Sequence, residues 1–131
     1  MQWLVVAAST FMIVSLGLAW LATAVRILNV ESLKKRFPAH DNLVKAHIDY
    51  LLMALLLMAY YLLGDTLELE FPGWVILSML FGAALNPLMF IIVAMSEPKK
   101  FRPGPKLRAL TMLSFTATTI GFAAAAILVV I

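Results

Sequence analysis

Two histidines, His40 and His47, and no cysteine make up the strong metal-donor inventory of this 131-residue chain. Without cysteine there are no disulfides, thiolate zinc sites, iron–sulfur clusters or thiol nucleophiles. With two histidines, a three-His site within one chain is excluded as well. His47 heads the candidates. In a helical reading it shares a face with Leu43, Tyr50, Leu51, Ala54, Met58 and Tyr61, by the three-or-four spacing. An imidazole just inside a membrane span, with the small Ala54 two turns deeper, leaves room for a flat ligand against the helix. A polar or ionisable group at that depth is a functional-site candidate by default. The plainer reading is an imidazole at the headgroup boundary, bonded to a neighbouring helix or to water. His40 lies seven residues earlier, about 10.5 Å away along a helix axis. The two therefore cannot grip one metal or one haem from opposite sides.

Asn86 is the only amide inside an otherwise apolar span, and in hydrocarbon it must find a partner. That partner is a ligand or another helix. The carbonyl of Ala83, freed because Pro87 brings no N–H, lies on the same turn and favours packing. Lys45 and Asp49, spaced i,i+4, suggest an ion pair at a helix mouth. Thr111, Ser114 and Thr118 form a hydroxyl stripe with Gly121 and Ala125 below it, a pattern that glues membrane helices together. The eight methionines are scattered and serve as gap fillers. Motifs for nucleotide phosphates, zinc hydrolysis or Ser-His-Asp catalysis are missing.

These residues sit in a chain that is 63% hydrophobic and 13% charged, with mean hydropathy +0.99. Soluble domains carry about 45–50% apolar and about 25% charged residues, so a soluble enzyme or nucleic-acid-binding domain is excluded. Charges are absent from 1–25, 50–64, 71–96 and 109–131. A helical span needs about 20 apolar residues. The expectation is an all-α polytopic membrane protein: one domain over 1–131, with four transmembrane helices at about 2–28, 43–64, 72–96 and 107–131 in an antiparallel bundle. The first run lacks a basic leader and is too long for a signal peptide, so it reads as a retained helix. The second reaches spanning length only by starting near Leu43, which draws Lys45, His47 and Asp49 into its first turns.

The first loop carries five basic residues (Arg26, Lys34, Lys35, Arg36, Lys45), and so does the third (Lys99, Lys100, Arg102, Lys106, Arg108). The second has none, only Asp65, Glu68 and Glu70. The positive-inside rule then puts loops 1 and 3 in the cytoplasm and both termini outside. A bacterial cytoplasmic membrane is the expected location. The net charge of +3 acts on orientation and implies no nucleic-acid partner.

The layout resembles a family of small four-helix membrane isomerases, the styrene oxide isomerases and hydroxylaminobenzene mutases. The residues that carry the resemblance are Lys45-Ala46-His47-Ile48-Asp49-Tyr50, where the second helix opens with an Ala-His pair and an acid two positions on. Ala84-Leu85-Asn86 late in the third helix and the Pro/Gly-bearing loop from Pro98 to Pro105 add to it. It implies a homotrimer binding haem b, with His47 as axial iron ligand and Ala54 on the cofactor wall. Asn86 and Tyr50 are the catalytic candidates. The chain departs from the family at Met53-Ala54, where members have Asn-Gly, and at Phe90, where isomerases have a tyrosine. One axial histidine leaves the opposite iron face open as a Lewis acid for a substrate oxygen. Rearrangement of an epoxide to a carbonyl compound, or of an arylhydroxylamine to an aminophenol, requires that and little proton machinery. The substrate is expected to be small and apolar. The alternatives are a structural subunit of a larger membrane complex and a small oligomeric transporter.

Overall fold

A computed structural model describes residues 2–95 and 104–131. The described residues form five helices: α1 Gln2–Arg26, α2 Glu31–Arg36, α3 Asp41–Thr66, α4 Gly73–Ala94 and α5 Pro105–Val130. All but α2 are long and apolar enough to cross a membrane, so the protein is all-α and integral to the bilayer. The short α2 was not expected inside the first loop. Its sequence explains it: Glu31 sits in the first turn and Lys34, Lys35 and Arg36 in the last, each complementing the helix dipole. Pro38 then disfavours helical geometry at Phe37 and ends it.

The span boundaries shift by one or two residues, for local reasons. α1 stops at Arg26 because Asn29 turns left-handed, at φ 54°, a conformation Asn tolerates. α3 begins at Asp41 rather than Leu43, and it runs on past Gly64 to Thr66. There Glu68 takes φ 52°, while the Leu69 and Glu68 amides donate to the Gly64 and Asp65 carbonyls at 2.8 and 3.3 Å, a Schellman ending. α5 starts at Pro105, whose missing N–H is harmless in a first turn. α4 ends at Ala94. The third-loop residues 96–103 lie outside the described residues, including Lys99, Lys100 and Arg102 of the basic loop.

The spans pack in chain order. α1 lies along α3, α3 along α4, and α4 along α5, while the backbones of α1 and α5 do not approach each other. Two apolar clusters fill the interior. One, toward the second loop, contains Leu4, Leu57, Phe71, Val75 and Met79; the other, toward the first loop, contains Val25, Phe37, Leu43, Ala46 and Tyr50. The α4–α5 seam is the tightest. A Cβ on Gly82 would fall on Thr118, 2.7 Å from its backbone nitrogen, and one on Gly121 would lie 2.6 Å from the Met79 nitrogen. Only glycine lets the two backbones come this close. Hydroxyls at Thr10, Thr23, Ser78, Thr111, Thr116 and Thr118 donate to carbonyls one turn back on their own helices, which hides them from lipid. Trp3 and Trp74, both exposed, mark one edge of the apolar band, as interfacial tryptophans do.

Candidate functional site

His47 is half-buried in the α1–α3 seam. Its Nδ1 lies 2.7 Å from the Ser15 carbonyl oxygen and 2.8 Å from Ser15 Oγ, and the Ser15 hydroxyl donates to the His47 carbonyl at 2.9 Å. A carbonyl oxygen only accepts, so the 2.7 Å contact requires the proton on Nδ1. The neutral ring then carries its lone pair on Nε2, which has no partner among the described residues. The Ser15 carbonyl thereby fixes the orientation and tautomer of the ring. Ser15 itself is fully buried, at 0% exposure. Ser15, Ala19 and Thr23, small residues spaced four apart on α1, therefore lie on the side of the imidazole.

Beside His47 lies a groove of about 510 Å³ lined by Ala19, Ala22, Thr23, Arg26, Ile27 and Val44. Its floor is made of small side chains. Arg26 brings a guanidinium to it, 4.0 Å from the exposed Asp41 carboxylate. His40 caps α3 from outside the groove, its Nδ1 3.6 Å from Asp41 and without a hydrogen bond.

The other candidates fall elsewhere. Tyr50 is buried against Phe11, ring centroids 5.5 Å apart, and its hydroxyl donates to the Ala84 carbonyl at 3.0 Å. Ala84 lies next to Ala83, whose carbonyl Pro87 deprives of its helical donor, so Tyr50 ties α3 to α4 beside that break. Ala54 is buried two turns below and lines a different groove, with Ala8, Ser9, Met12 and Met58. Asn86 accepts the Ser114 hydroxyl at 3.2 Å, which joins α4 to α5. It lines a separate groove of about 360 Å³ with Asp49, Met89, Phe90, Thr111 and Phe115. Within one chain, then, His47 and Asn86 do not meet.

Asp49 departs from the ion pair that its spacing from Lys45 suggests. It forms no ion pair with Lys45, and it has no hydrogen bond with any described residue. The i,i+4 spacing pointed to a pair, yet Lys45 is exposed and Asp49 is half-buried toward α4 and α5. The helical angle does hold: two residues along a helix of 3.6 per turn put Asp49 on the side opposite His47. Among the described residues no three His, Asp or Glu side chains converge on a metal position. No family model, curated protein or solved structure matches the chain.

Proposed function

We infer that the protein is a haem-dependent membrane isomerase acting on small apolar substrates, with His47 as the axial ligand. One observation carries this reading: Nδ1–H is tied to the Ser15 carbonyl, and the free Nε2 belongs to a side chain lining a groove floored by alanines. The donor set fits the cofactor. A neutral imidazole is a good iron ligand, its tautomer is fixed by the second nitrogen, and Arg26 in the same groove suits a carboxylate of the ring. Bound there, haem would supply a Lewis-acidic iron able to polarise a C–O or N–O bond of the substrate.

The chain's own residues do the rest. Ser15 holds the imidazole plane, and its carbonyl, by accepting Nδ1–H, sets the tautomer of the neutral ring and raises the basicity of Nε2 as a ligand. Ala19, Ala22 and Thr23 allow a flat ring to lie close to α1, and Ile27 and Val44 make the rest of the lining apolar, which suits a substrate drawn from the lipid. Because the groove is open and His47 and Asn86 lie apart within a chain, a homotrimer whose neighbouring copy closes the groove completes the site. Any contribution of Asn86 opposite the cofactor then comes from that neighbour. Tyr50 acts by holding the Pro87 segment in place. Loops 1 and 3 face the cytoplasm on this reading.

The test is turnover by purified, haem-loaded protein in mild detergent. An aryl epoxide should give the isomeric aldehyde, or an arylhydroxylamine the aminophenol, without any added reductant or oxidant. Loaded protein that converts neither substrate overturns the isomerase reading.

A further inference from the structure

The second groove, on the far side of α3 from His47, has a chemistry of its own. We propose that the cleft between α3, α4 and α5 binds a lipophilic organic cation, an ammonium with an aromatic or branched apolar body, using Asp49 as its counter-ion.

Depth is the first argument. Asp49 is eight residues from the start of α3 and Asn86 eight from the end of the antiparallel α4, so each lies about 12 Å inside its helix end. Thr111, six residues into α5, is at about 9 Å. The three polar groups thus share one level on the side of loops 1 and 3, with Asp49 at the edge of the charge-free run that begins at Tyr50. A carboxylate there is expensive unless a positive charge joins it. The nearby fixed cations do not serve: Lys45, Lys106 and Arg108 form no ion pair with it.

The walls select the kind of cation. The hydroxyl protons are already committed, Thr111 to the Leu107 carbonyl at 2.8 Å and Ser114 to Asn86 Oδ1 at 3.2 Å. Of the two, Thr111 lines the cleft and therefore presents its lone pairs there, which suits a positive ligand. A bare metal ion is disfavoured, because Asp49 is the only carboxylate in the lining and no His accompanies it. Met89, Phe90 and Phe115 make the remainder apolar and supply two aromatic rings, the surroundings that favour an ammonium carrying hydrocarbon. At about 360 Å³ the cleft exceeds the ~150 Å³ that takes up a benzene. Phe115 is 55% exposed, so the cleft opens toward lipid and a membrane-partitioned amine reaches it directly.

The experiment uses the full chain in detergent micelles, with benzyltrimethylammonium as probe and neopentylbenzene as its neutral isostere. Equilibrium dialysis should show saturable binding of the cation, one per chain, and binding of the isostere weaker by about tenfold or more, the ratio that ~1.4 kcal/mol gives. Asp49→Asn should weaken the cation by a similar factor, Asp49→Glu should retain it, and His47→Ala should bind it as wild type does. The last variant separates this site from the haem reading. Equal binding of the two probes by wild-type protein, undiminished binding by a folded Asp49→Asn, or no saturable cation binding overturns the proposal. The probe comparison requires no variant, so it decides the matter even if Asp49→Asn does not fold.

Discussion

Ser15→Ala is the most informative perturbation of the α1–α3 seam, because it separates two functions of one residue. The hydroxyl donates to the His47 carbonyl at 2.9 Å, while the Ser15 backbone carbonyl receives Nδ1–H at 2.7 Å. The substitution removes the first bond and leaves the second. No buried polar group is stranded, since the His47 carbonyl keeps its helical partner and Nδ1 keeps the Ser15 carbonyl. The loss should therefore be that of one intramembrane hydrogen bond, about 0.6–2 kcal/mol, with only a very small void. Reversible unfolding in mixed micelles, followed by tryptophan fluorescence, measures it. Histidine ¹⁵N chemical shifts in the same variant should still report a proton on Nδ1. Unchanged stability, or a proton moved to Nε2, refutes the claim that the backbone carbonyl sets the tautomer while the hydroxyl ties the helices.

Gly82→Ala brings a Cβ to 2.7 Å from the Thr118 nitrogen. It should destabilise by about 1–3 kcal/mol in the same assay despite alanine's higher helix propensity, and a gain in stability contradicts the close α4–α5 approach. Asn86→Ala strands the Ser114 hydroxyl in a fully buried position and should cost about 1–3 kcal/mol. It should leave haem content per chain unchanged, as measured by pyridine haemochrome. Reporter fusions check orientation: a C-terminal fusion active only in the cytoplasm should stay silent, and a signal from it reverses the assignment of loops 1 and 3.

Much of this architecture is legible from the charge-free runs, since the four spans follow from hydropathy and length alone. The short α2 is not, because six residues carry no periodicity and only its end charges betray it. Span ends moved where left-handed residues, Asn29 and Glu68, terminate helices without any glycine to announce them. His47 was visible as an ionisable residue at membrane depth, but its clamp by Ser15 depends on how α1 docks on α3. The separation of Asn86 from His47 was hidden for the same reason. Spacing gives the face of a residue on its own helix and does not say which neighbour that face meets. Asp49 shows the converse, since its i,i+4 spacing from Lys45 suggested a pair that the packing of α4 and α5 against α3 does not form.

The absorption spectrum of the purified protein, expressed with ample haem, tests the central claim most directly. With Nε2 of His47 as the ligand, wild-type protein should be red, with a Soret band at one haem per chain. His47→Ala should lose that band, while His40→Ala should retain it. Wild-type protein without a Soret band, or a band that survives His47→Ala undiminished, contradicts the account.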